Sequence, residues 1–501
     1  MGKLPAIKRE ADYPVMAVAT IIVFILLGSV LVYGLNIRTT GTVFFSMVIA
    51  YYLTARDNVQ GFVLVFILIL NPWGLFYYRP YEWFIPLTST VGLSYKTMLV
   101  LTILAREFYL KRFVRGKLPD NFRTYYLPVA FYLIFLLSLG MVFGYNSKSL
   151  YETFTSLPVW LLFFIIPRKF NMQELLRFNK IVFLFAIVHH FVSVVDILTS
   201  GVITNTLIFG REASTAALWG DELIRLTGGI GIAFYSVITG LYYIASKNKN
   251  FNPWYLWLVI LFSLFYIMNS GTRGWIIAMG VLLILFAFFF SGAIFSRKSV
   301  LVGVIAVAFA GWLILPAPVK TNIGRSFTRL TTVESIAEGD LSAGGTAGRW
   351  TVRGPRVLTR FNESPVVGFG FSRVSSDYYD GHVGNHVLLL MGGVTGLTLV
   401  WGTMLIIIFR IYMIDRSRNQ AKGLFVFGLG LVAIMVIHST SRVMVAFRMP
   451  SDSAFIIALM LNHVNALLAD IGIAVRSGMT KKSFLTTEAN VVEENITDTD
   501  S

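Results

Sequence analysis

Arginine is the residue type that this sequence sets where an anion could be handled. Arg273 lies in Asn-Ser-Gly-Thr-Arg-Gly-Trp, where one apolar run ends and the next begins. Ser, Gly and Thr there suit a tight turn, and a helix starting just after it adds partial positive charge. An oxyanion would meet free amides, a helix dipole and a guanidinium together. The plainer reading is an interfacial arginine that snorkels to lipid head groups. Arg225, in Arg-Leu-Thr-Gly-Gly, and Arg211, in Phe-Gly-Arg-Glu, carry the same choice, with Asp221, Glu222 and Glu212 as neutralising neighbours. Arg349, Arg353, Arg356 and Arg360 recur every three or four residues, which on a helix makes one basic stripe. A solvated stripe is the usual outcome of such spacing. Here Trp350, Val352, Val357, Leu358 and Phe361 on the other side could pack inward and aim the stripe at a site. His382 and His386 follow in Asp-Gly-His-Val-Gly-Asn-His. An unperturbed imidazole titrates at about pH 6.5, so either could take a proton from a hydroxyl. Lys96, within an apolar run, and Arg442 and Arg448 are further candidates with no context that singles them out.

These residues must be positioned by membrane helices. Of 501 residues, 56% are hydrophobic and 14% charged, and a soluble domain cannot bury that proportion. The apolar residues come in blocks near the length that crosses a hydrocarbon core. Absence of cysteine excludes disulfides, thiolate metal ligands and thiol nucleophiles. Candidate spans are 14–34, 41–54, 60–76, 88–106, 125–144, 152–166, 180–199, 228–245, 253–269, 274–290, 299–315, 385–410, 422–438 and 453–471. The first is too long for a signal-peptide core and reads as a retained anchor. His189 and His190 fall inside a span, where packing or interhelical hydrogen bonding explains them.

With both termini cytoplasmic, 25 of the 42 lysines and arginines fall on the cytoplasmic side. Eight of the other 17 lie in one long loop, which the positive-inside rule does not cover. The outer set is 14 arginines to 3 lysines, whereas the inner set is nearly balanced. Membrane insertion has no reason to prefer arginine outside; bidentate phosphate binding has one. The net charge of +16 is therefore read as topology and anion handling rather than as nucleic-acid binding. The expected organisation is transmembrane helices over 1–315, a large periplasmic loop over 316–384, further transmembrane helices over 385–475, and a disordered cytoplasmic tail over 476–501. The fold class expected is an all-α polytopic membrane protein of about 12–14 transmembrane helices.

Several motifs recur in a telling order: Arg225 and Gly228 before a span, Arg273-Gly274 between two spans, then Arg349-Trp350, Pro365, Gly368, Gly370, His382 and Gly393-Val-Thr-Gly396. Over roughly 200–400, that order resembles the O-antigen ligase and O-antigen polymerase superfamily of bacterial envelope glycan assembly. That family carries His-Asn directly before its helix. Here His382 is followed by Val383, with Asn385 and His386 slightly later, so the base is either His382 or His386.

The resemblance implies a C-type glycosyltransferase-like fold in the bacterial inner membrane, with the active site periplasmic. It implies an inverting transfer from a glycan on undecaprenyl pyrophosphate to a hydroxyl of an acceptor glycan. Arg225, Arg273, Arg349 and Arg211 would bind the pyrophosphate, with Arg273 also acting on the departing charge. No cofactor or metal is expected, since the first outer connection, Asn36-Ile-Arg-Thr-Thr, lacks carboxylates and the outer face has no Asp-x-Asp. Polymerase is the reading preferred. A ligase, passing finished polymer to lipid A core, needs the same donor site. A lipid-linked oligosaccharide flippase is the alternative of another class, although no internal repeat of the kind many transporters carry is visible. Expected partners are the lipid-linked donor, a glycan or lipid A core acceptor, membrane lipid and a chain-length regulator.

Overall fold

The structure is a computed structural model that describes residues 6–29, 38–55, 57–72, 85–86, 92–110, 116–199, 228–292, 313, 315–328, 352–418 and 421–476. Among the described residues the regular structure is helical apart from one antiparallel pair of two-residue strands, Ile85–Pro86 with Gly92–Leu93. The described helices, in order, are α1 (Ala6–Ser29), α2 (Arg38–Thr54), α3 (Asn58–Ile69), α4 (Tyr95–Tyr109), α5 (Arg123–Phe143), α6 (Ser147–Leu161) and α7 (Met172–Leu198). They continue with α8 (Ile230–Ala245), α9 (Pro253–Asn269), α10 (Arg273–Phe289), α11 (Ala317–Thr328), α12 (Gly354–Phe361) and α13 (Arg373–Tyr378). The last three are α14 (Gly384–Ser417), α15 (Phe425–Thr440) and α16 (Ser451–Arg476).

Five of the described helices are long and apolar enough to cross a membrane: α5, α6 with its 3₁₀ continuation to Arg168, α7, α14 and α16 as far as Gly472. Seven shorter apolar stretches of 10–17 residues accompany them. Seventeen residues rise about 26 Å, less than a hydrocarbon core of roughly 30 Å. Large apolar side chains face outward along these helices: Phe131 is 67% exposed, Met141 74%, Ile284 70%, Phe288 76% and Phe409 62%. Water would not tolerate such a belt, and lipid favours it.

Helix starts follow local chemistry. Asp57 caps α3, Asn252 caps α9 ahead of Pro253, and Asn146 and Asn171 open α6 and α7 with capping boxes. Thirteen of the fourteen candidate spans overlap a described helix, and 299–315 lies almost wholly outside the described residues, as does the tail beyond 476. Two of the runs are cut back at one end. The run 60–76 stops as a helix at Ile69, because Asn71 adopts φ +55 and Pro72 follows it. The run 88–106 becomes helical at Tyr95, where the Ser94 hydroxyl caps the helix by accepting from Thr97 N.

Part of the 316–384 loop is built into the bundle. Helix α14 breaks at Gly393 (φ +62, ψ −166), and residues 365–371 fill the break. Val394 and Thr395 N–H groups donate to the carbonyls of Pro365 and Val366 at 2.9 and 3.1 Å. In return Phe369 and Gly370 donate to Leu390 and Met391 at 2.9 and 2.8 Å, and Phe371 reaches the Leu136 carbonyl of α5 at 3.2 Å. Tyr132 Oη donates to the carbonyl of Gly392 at 2.8 Å. Irregular backbone persists in a membrane domain only where its polar groups are satisfied in this way.

Candidate functional site

One end of the bundle gathers the chain's chemistry-bearing turns around residues 438–450. Helix α9 ends at Asn269, and Ser270–Thr272 form the tight turn expected from their types. Ser270 Oγ donates to the carbonyl of Ile267 at 2.7 Å, and Gly271 takes φ +60. Arg273 is the first residue of α10, half-buried, beside an N-cap threonine whose side chain makes no capping bond. The first amides of α10 are thus left uncapped by Thr272 beside a guanidinium, the arrangement that favours an oxyanion. Gly274 must be glycine, since a Cβ there would stand 2.1 Å from Ser441 Cβ. That approach seats the turn on the end of α15.

The histidine segment hangs on the same anchor. Val443 N donates to the carbonyl of Gly381 at 2.9 Å, and Asn385 Nδ2 donates to Ser439 Oγ at 3.2 Å. A Cβ on Gly384 would meet the His438 carbonyl at 2.3 Å. His438 in turn organises the anchor, its Nδ1 accepting from Met444 N and Val445 N, both at 3.1 Å. Asp380 Oδ1 accepts from His382 N at 2.9 Å, which leaves the His382 side chain exposed at the rim. His386 is half-buried in the first turn of α14. Arg273, His382 and His386 therefore share one end of the bundle, bracketed by residues 438–443.

The other expected residues divide. Arg211, Arg225 and Arg349 lie outside the described residues. Arg353, Arg356 and Arg360 do lie at or on a helix, α12, with Val357 buried beneath. Val352 is 65% exposed, so the inward packing expected of it is not made; it precedes the first residue of α12. The stripe remains largely open to solvent while touching neighbouring residues. Arg353 pairs with Asp380 at 3.7 Å, Arg356 Nη2 donates to the carbonyl of Asp377 at 2.9 Å, and Arg360 pairs with Glu363 at 2.5 Å. The Arg356 and Arg360 guanidinia also lie over the Tyr378 ring at 5.5 and 5.0 Å. His189 and His190 are buried in α7; their Nδ1 atoms are 3.1 Å apart, and His190 Nε2 meets Ser263 Oγ of α9 at 3.2 Å, the interhelical role expected.

Sequence reasoning missed the acids that meet these arginines. Asp452 pairs with Arg442 at 3.1 Å, and its charge also acts on the buried Lys96. Glu152, in the first turns of α6, pairs with the buried Arg448 and accepts from Ser376 Oγ at 2.6 Å. Burial pulls the Arg448 guanidinium below its ordinary pKa, and Glu152 and Tyr379 oppose that shift. Burial likewise pushes the Tyr379 hydroxyl up, with Arg448 opposing it. The missed signal was an acid at the outer end of two candidate spans, Glu152 at 152 and Asp452 beside 453. No protein-family model and no curated protein matches this chain, so the reading of the site rests on its own residues.

Proposed function

We propose that this protein is an inner-membrane polymerase of a bacterial surface polysaccharide. It transfers glycan from undecaprenyl pyrophosphate to a sugar hydroxyl of an acceptor glycan. The observation that carries the reading is the seating of the Arg273 turn and the His382–His386 segment on one anchor, residues 438–443, at one end of a bundle with a lipid-facing apolar belt. That end is read as periplasmic. The acceptor oxygen attacks the anomeric carbon, the bond from that carbon to the diphosphate oxygen breaks, and configuration inverts. His382 or His386 takes the hydroxyl proton. Undecaprenyl diphosphate leaves as an anion whose growing charge meets Arg273 and the N-terminal end of α10.

The test uses the purified chain in lipid nanodiscs with a lipid-linked repeat unit. The wild type is expected to lengthen the glycan, and Arg273→Ala to lose roughly 10²–10³-fold in turnover, the scale of a preorganised charge stabiliser. Loss with His382→Ala or His386→Ala, but not both, identifies the base. Near-wild-type turnover in Arg273→Ala would falsify the role given to that residue, and no lengthening by the wild type would overturn the polymerase reading.

A further inference from the structure

Arg448 combines deep burial with donors that the protein leaves unused. Its residue exposure is 6%, yet Nε and Nη2 make no hydrogen bond among the described residues. Its contacts are an ion pair between Nη1 and Glu152 Oε2 and the Tyr379 ring, 5.7 Å from the guanidinium carbon. A buried guanidinium with idle N–H groups is costly for a fold to keep. It is also held firmly. The preceding residue, Phe447, accepts at its carbonyl from Trp160 Nε1 at 3.0 Å, and its ring closes over Gly392 and Gly396, where a Cβ would stand 2.4 and 2.9 Å from it.

We infer that Arg448 is the base of an oxyanion-binding site in which Glu152 is an internal occupant that a ligand's oxyanion displaces. A planar fork with idle donors suits a phosphoryl or carboxylate group taken two oxygens at a time. Arg442 holds Asp452 and Arg353 holds Asp380, which leaves Glu152 as the carboxylate paired with Arg448. Glu152 can let go because Ser376 Oγ already holds the same carboxylate, and its side chain is 23% exposed. The oxyanion is either the diphosphate of a lipid donor or the carboxylate of an acidic sugar. Assigning it to donor or acceptor rests on the glycan-transfer reading; the site itself does not.

The experiment measures equilibrium binding to the full chain in nanodiscs, with inorganic pyrophosphate and glucuronate as separate probes. The wild type is expected to bind one of them, and which one identifies the source. R448Q is expected to weaken that binding roughly 10- to 100-fold, and R448K about tenfold, because the charge stays and the fork goes. E152Q is expected to tighten it several-fold by removing the competing carboxylate. A salt bridge serving stability alone predicts no tightening in E152Q. The inference is overturned if neither probe binds, if R448K or a folded R448Q binds as the wild type does, or if E152Q does not bind more tightly. Should R448Q fail to fold, R448K and E152Q decide. Arg448-independent binding beside an Arg273-dependent transferase sinks this inference alone. Arg448-dependent binding in a chain that transfers no glycan sinks the functional reading alone.

Discussion

Far from the arginine end, Lys169 and Glu107 form an ion pair with side chains 0% and 1% exposed. The ammonium also lies over the rings of Phe62 and Phe170, at 5.1 and 5.3 Å. Two desolvated charges are held at a cost, and removing one leaves the other uncompensated, a loss of about 3–5 kcal/mol. Lys169→Met is expected to lower the thermal midpoint of the purified protein sharply, and Lys169→Met with Glu107→Gln to recover much of it. A midpoint unchanged in the single variant would show the pair to be solvated. Such pairings are what the sequence could not reveal. Arg168 and Lys169 were legible as basic residues at a helix end, but the acid that meets Lys169 lies 62 residues away. The same distance problem hid Glu152 from Arg448. Residue types and local spacing were enough for the Ser270–Arg273 turn, because every group that shapes it is within a few positions.

At the scale of elements, the Pro365–Gly370 segment was legible as a motif but not as a structure. Its glycines serve close backbone approach. Gly368 takes φ +68 against the amide of Gly393, and Gly370 takes φ +58 with a would-be Cβ 2.2 Å from the Leu136 carbonyl. The break in α14 was invisible because Gly393-Val-Thr-Gly396 sits inside a continuous apolar run, and hydropathy does not record φ. Gly370→Ala combines a left-handed backbone, worth roughly 1–2 kcal/mol, with a clash against main chain that cannot move aside. It is expected to lower the thermal midpoint and to raise proteolysis within 352–383. Gly402→Ala in α14, where a Cβ would meet nothing within 4 Å, is expected to leave both unchanged. Equal behaviour of the two would mean that the loop is not locked into the break.

For the whole molecule, hydropathy does not separate a span from a helix wrapped in protein. Every residue of α8 from Ile230 to Ala245 is buried, so its length need not match the hydrocarbon. The alternation of ends was legible. Gly144, Glu152, the α10 start and residues 373–384 meet at one end. The turn 246–252 belongs to the other, where a Cβ on Gly423 would stand 2.8 Å from Ser246 N. Which end faces the cytoplasm depends on the lysine and arginine bias alone. The chain has no cysteine, so single introduced thiols report orientation without background. Ser147 and Asn250 are both exposed, one at each end. In cells with a permeabilised outer membrane, an impermeant maleimide is expected to label Ser147→Cys and to spare Asn250→Cys until the inner membrane is opened. The reverse pattern would put Arg273 and His382 in the cytoplasm, where a lipid-linked glycan displayed on the outer leaflet could not reach them.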